Sequence, residues 1–169
     1  MPRFLIKIAI AGEGGTGKTT LLHRWVDGVF LSDTRITIGT SFMVKNVSRN
    51  GKTFILQIWD LGGEERFRSI LKEFVNGAAI TLLVFDLSRV ETFFRLDEWI
   101  SLIRNGKCDN IVLVGTKSDL PQMVSDCEIE KIARTYNLLG PFKVSSKTGE
   151  NVDVLFEYVV NLLSEIYSH

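Results

Sequence analysis

Short, wholly apolar runs alternate along the chain with stretches in which apolar residues recur every three or four positions. ITLLVF (80–85) and IVLVG (111–115) are continuously apolar. That pattern predicts strands buried on both faces, as in a parallel sheet covered by helices. FLIKIAIA (4–11) reads as a first strand and FKV (142–144) as a last one. Between them the period changes. Leu21, Leu22, Trp25 and Val26 fall on one side of a helix. Ser88 and Glu91 have capping-box spacing, and Phe93, Leu96, Ile100 and Ile103 share one face behind them. Ser125 and Glu128 repeat the spacing ahead of Ile129, Ile132 and Tyr136. Val152, Leu155, Phe156, Val159, Leu163 and Ile166 predict a C-terminal helix with one apolar stripe. Residues 41–60 break the alternation, because Asn50-Gly51 joins SFMVKNVSR to KTFILQIWD as a hairpin turn would. The prediction is an α/β fold: a mostly parallel sheet of six strands, one antiparallel edge strand, about five helices in layers on both faces, and one domain over residues 1–169. Ligands of such sheets bind at the carboxyl ends of the strands.

Composition narrows the partners. The 20 basic and 20 acidic residues balance to zero net charge, which argues against nucleic acid held by bulk charge. Cys108 and Cys127 offer neither a disulfide framework nor metal-ligand spacing, and suit a reducing cytoplasm. No apolar run is long enough to span a membrane, and no cysteine near the end marks a lipid anchor.

GEGGTGKT (12–19) follows the first strand and opens the first helix. It fits G-x-x-x-x-G-K-[ST], a loop whose backbone N–H groups converge on phosphate at a helix N-terminus. Gly14, Gly15, Thr16, Gly17, Lys18, Thr19 and Thr20 are the expected phosphate-binding residues. In this pattern the lysine reaches the β and γ phosphates and the threonine hydroxyl ligates Mg²⁺.

GTKSD (115–119), at the end of a buried strand, resembles the [NT]-K-x-D motif of small GTPases of the Ras superfamily. The resemblance covers essentially the whole chain and implies a three-layer P-loop G domain binding GTP, GDP and Mg²⁺. It implies that Asp119 accepts from guanine, that Lys117 lies along the ring, and that Thr116 bridges towards the phosphate loop. Ser145-Ser146-Lys147 is similar to the family's S-A-K, with the Ser146 backbone N–H on guanine O6. Phe30, seven residues before Thr37, has the spacing of the ring that stacks on the base. TIGTSF (37–42), GKTFILQIWD (51–60) and ERFRSI (65–70) look Rab-like, whereas Asp60-Leu61-Gly62-Gly63 looks more like the Arf branch.

By the same resemblance Thr19, Thr37 and Asp60 hold Mg²⁺, and the Gly63 N–H binds the γ-phosphate. The catalytic set would be Glu64, Thr37, Gly63 and Lys18. Glu64 stands where the family usually has Gln, and Arg35 is the one nearby candidate for an arginine finger. Phe42, Trp59 and Phe74 match an aromatic triad that reads effectors. The bare strand pattern leaves open whether Ile55, Gln57 and Trp59 face a partner or a covering helix. The implied protein is a monomeric switch with effectors, an exchange factor and an activating protein. A P-loop kinase or ATPase is disfavoured by Asp119 and by Ser145–Lys147. A scaffold that holds GTP without useful turnover stays open.

Overall fold

The computed structural model describes residues 2–28, 30, 40–63 and 65–168. β1 (Arg3–Ala11) leads into α1 (Lys18–Val26), and β2 (Thr40–Arg49) and β3 (Lys52–Leu61) form the hairpin. A 3-10 turn (Glu65–Ile70) precedes α2 (Leu71–Val75). β4 (Ile80–Asp86), α3 (Val90–Phe94), α4 (Leu96–Asn105), β5 (Ile111–Thr116), α5 (Asp126–Thr135), β6 (Leu139–Lys143) and α6 (Val152–Ile166) complete the order. The strands lie β2-β3-β1-β4-β5-β6, with only the β2–β3 pair antiparallel. This is the mostly parallel sheet with an antiparallel edge strand that the alternation predicts.

The hairpin forms where expected because Asn50 (φ 54°) and Gly51 (φ 74°) both occupy the left-handed region that such a turn requires. β4 and β5 are buried along their whole length, which explains their unbroken apolar sequence. Two cores result. One lies under α1 and α6 and takes Ile8, Leu56, Ile58, Leu82, Val112 and Leu163. The other lies under α2, α4 and α5 and takes Leu83, Phe85, Leu113, Trp99 and Ile129. Trp25 and Phe156 stack 3.9 Å apart where α1 meets α6. The hairpin is also tied to α6: Arg49 donates to Glu157 (2.6 Å) and Asn161 (2.5 Å), and the Asn50 amide donates to Ser164 (2.9 Å).

Three expectations need correction. Ser88 and Glu91 form no capping box: the Ser88 hydroxyl and N–H both donate to Asp86 Oδ1, at 2.6 and 2.9 Å, and Glu91 pairs with Arg89. A carboxylate two residues away is the stronger and nearer acceptor for serine. The helix then starts later and breaks at Arg95 into α3 and α4, although Phe93, Leu96, Ile100 and Ile103 do share the buried side. Ile166, the last residue of α6, leaves the apolar stripe and is 40% exposed. β6 begins at Leu139 rather than Phe142 and runs through Pro141. Proline reads as a breaker but is tolerated here because β6 is an edge strand. The Ser125–Glu128 box forms as predicted.

Candidate functional site

The loop between β1 and α1 lies at the carboxyl end of the central strands. Gly12 has φ 145°, and a Cβ there would stand 2.2 Å from the Val84 carbonyl oxygen. Only glycine therefore lets the loop leave β1 so close to β4. Lys18 is 5% exposed, and its ammonium donates to the Gly12 and Glu13 carbonyls at 2.9 Å each. The Thr16 hydroxyl also donates to the Glu13 carbonyl (2.8 Å). Burial lowers the Lys18 pKa to about 8, against the pull of Asp60 and Glu13, which favour the charged form.

Thr19 is the second residue of α1, and its hydroxyl donates to Asp60 Oδ2 at 2.5 Å. Asp60 closes the run Phe54–Ile58–Asp60 of buried positions on β3 and is 1% exposed. A hydroxyl and a carboxylate adjacent at a helix start form a hard-oxygen pair that fits Mg²⁺, which binds through one or two such groups plus substrate phosphates. Gly63 rests on the phosphate loop, where a Cβ would stand 2.1 Å from the Gly14 nitrogen and 2.3 Å from the Glu13 carbonyl carbon. Any side chain at position 63 would lift this segment off the loop. Thr37 and Glu64 lie outside the described residues, as does Arg35.

The other wall comes from the ends of β5 and β6. The Thr116 hydroxyl lies 2.5 Å from the Thr16 carbonyl and 3.1 Å from that of Phe85. Lys117 occupies the left-handed region (φ 61°), a strained conformation for a residue with a side chain. Its ammonium donates to the Gly15 carbonyl (3.0 Å) and meets Asp86 Oδ2 at 2.8 Å. Asp119 Oδ1 accepts from the Ser145 hydroxyl (2.7 Å), which in turn accepts from the Thr148 N–H (3.1 Å). Ser145 and Ser146 are buried, and Lys147 is exposed. Phe30 is 38% exposed and borders residues outside those described. The structure thus brings Gly14–Thr20, Asp60, Gly63, Thr116, Lys117, Asp119 and Ser145 to one end of the sheet. Asp86 was missed in the sequence, where it is only the polar end of an apolar run.

Beside this pocket the hairpin presents a half-open face. Phe42 (46% exposed) packs edge-on against Trp59 at 4.8 Å, and Trp59 meets Phe74 at 6.3 Å. Phe74 is only 8% exposed, so it supports the face from beneath. Ile55, Gln57 and Trp59 are half-buried, while Phe54, Leu56 and Ile58 are fully covered.

The Ras family model matches residues 7–165. The chain is similar to the Ras-related protein Rab-4B of Homo sapiens, with 40% identity over 157 residues, 90% of this chain and 73% of that protein. It is 39% identical to the Ras-related protein Rab-4A of Bos taurus over 90% of this chain and 72% of that one. It is 37% identical to the Ras-related protein Rab-27B of Bos taurus over 95% of this chain and 80% of that one.

Proposed function

This chain belongs to the Ras family of small GTPases, in a Rab-like branch, and from that premise we propose that it is a slow GTP-hydrolysing switch that recruits effectors. One observation carries the reading. The Asp119 carboxylate, held by Ser145, stands at the same sheet end as the phosphate loop, and Thr116 and Lys117 tether the two walls together. Asp119 accepts from the guanine N–H groups; adenine lacks these and would leave the carboxylate without a donor on the base. Lys117 lies along the ring and Ser146 offers its backbone N–H to the base, with Phe30 stacking on the far side. The Gly14–Thr20 backbone and Lys18 hold the β and γ phosphates. Thr19 and Asp60, together with Thr37, hold Mg²⁺, which neutralises charge on the phosphates. The Gly63 N–H reports the γ-phosphate, so its loss releases the segment that Gly63 leads.

Slow turnover follows from Glu64. An ionised carboxylate accepts from water but cannot donate to the phosphoryl oxygen as an amide does, and the phosphates repel it. Losing one such donor costs about 2–4 kcal/mol of barrier by analogy with oxyanion holes. The same carboxylate favours the second reading, a scaffold that keeps GTP without useful turnover. Effectors dock on Phe42 and Trp59, in keeping with a role in vesicle trafficking, and an exchange factor and an activating protein set the cycle. The test identifies the co-purified nucleotide, then measures single- and multiple-turnover phosphate release for the native protein and Glu64→Gln. A guanine nucleotide and a faster Gln variant are expected. Equal affinity for ATP and GTP would remove the guanine reading, and a native rate well above the Gln variant would make Glu64 a working base.

A further inference from the structure

Glu13 has two attachments. Its main-chain carbonyl takes Lys18 and Thr16, inside the phosphate loop. Its side chain reaches from the loop to the turn that follows Gly63 and to α4. There the carboxylate accepts from the Arg68 guanidinium and from the Trp99 indole N–H (3.0 Å), with Arg95 Nε at 4.0 Å. Arg68 lies in the 3-10 turn five residues after Gly63. It also pairs with Glu98 at 2.7 Å and lies 5.1 Å over the Trp99 ring. Glu13 and Arg68 keep only 18% and 14% of their side-chain surface. A pair this enclosed, with a third polar group on the carboxylate, is screened far less than a surface pair. Removing one partner leaves the other charge enclosed and uncompensated.

We propose that Glu13 is a positioning residue for hydrolysis: through Arg68 it docks the turn Glu65–Ile70 on the phosphate loop and so fixes the approach of Gly63 to the γ-phosphate. Trp99 on α4 is the fixed post of the arrangement. It is 1% exposed, so its indole cannot follow the turn, and it holds the carboxylate in the rotamer that Arg68 needs. The inference rests on the hydrolysis reading above. Neither side chain belongs to the set proposed to touch nucleotide, so its removal should act on the chemical step rather than on binding.

The experiment uses Glu13→Gln, Arg68→Met and the double variant, each loaded with GTP and Mg²⁺. Single-turnover hydrolysis should fall about tenfold in each single variant, and no further in the double, as expected for one shared interaction. GTP affinity should stay within about threefold, and Glu13→Asp should recover part of the rate. Amide hydrogen exchange over residues 65–70 should speed up in Glu13→Gln, while that of β4 and β5 stays unchanged. A native hydrolysis rate in Glu13→Gln would overturn the proposal. So would rate, affinity and thermal stability falling in proportion, which is the signature of a merely structural role. If GTP-loaded native protein shows no turnover, the hydrolysis reading fails by itself. Exchange over 65–70 then decides the inference: unchanged protection in Glu13→Gln rejects it, and lost protection supports the docking.

Discussion

The two walls of the nucleotide site are built from different interactions. The wall at the ends of β5 and β6 is pinned mainly by hydroxyls, Thr116 to the Thr16 carbonyl and Ser145 to Asp119 and the Thr148 N–H, with one ion pair added by Lys117 to Asp86. Both hydroxyl residues are at most 2% exposed. The wall beyond β3 is pinned by charge, with Arg68 shared between Glu13 and Glu98, and by the bare backbone contact of Gly63. A wall proposed to read the base must be the same before and after hydrolysis. Short buried hydrogen bonds with fixed partners give it that permanence. A wall proposed to sense one phosphate must release, and ion pairs with two acceptors in reach can exchange partners without an unpaired intermediate.

Asp119→Asn attacks the permanent wall. It replaces an acceptor with a mixed amide, and GTP affinity should fall at least about a hundredfold while xanthosine triphosphate becomes the preferred ligand. Competition binding with both nucleotides reads it, and an unchanged GTP preference would break the contrast between the walls.

Lys18 stands between the walls, and pH probes it. With its pKa near 8, the ammonium is present below that pH and lost above it. Phosphate binding needs the charged form, so GDP affinity should weaken about tenfold between pH 7 and pH 9. Calorimetry in buffers of differing ionisation heat would detect the accompanying proton uptake. Stability runs the other way. The pKa is lowered from 10.5, so the unfolded chain holds the proton longer, and nucleotide-free protein should gain stability as pH rises from about 8 to 10.5.

The smallest effect should come from Thr116→Val, which deletes the hydroxyl between the loops but keeps the shape. The lost hydrogen bond is worth about 1 kcal/mol, about fivefold in GDP release. Stopped-flow exchange reads it, and an unchanged release rate would mean that the tether plays no part in holding nucleotide.

Local signals carried most of the fold. Asn50-Gly51 set the hairpin, continuous apolar runs set β4 and β5, and the loop 12–19 has a fixed spacing that any reader of sequence can find. The failures are places where a partner outside the window wins. Ser88 was taken by Asp86, and Pro141 sits in a strand that only its edge position permits. Glu13 with Trp99, 86 residues apart, has no local signature at all. The same holds for Lys117 with Asp86, where each residue looks unremarkable until β4 and β5 pair. Among the expected site residues, those on strand ends fell together in space, while Thr37 and Glu64 lie outside the described residues.

The contacts between the hairpin and α6 have a consequence for synthesis. Arg49 and Asn50 find their partners 108 to 114 residues later. A ribosome adding about 5–20 residues per second needs roughly 5–20 s to supply them. The hairpin itself closes in microseconds. For that interval Phe54, Leu56 and Ile58 lack the α6 side chains that share their core. The nascent chain therefore carries a preformed two-stranded ribbon with one greasy side, the kind of surface that holding chaperones grip. A chain stalled before Val152 would keep that surface for good, and cells should clear it rather than let it accumulate.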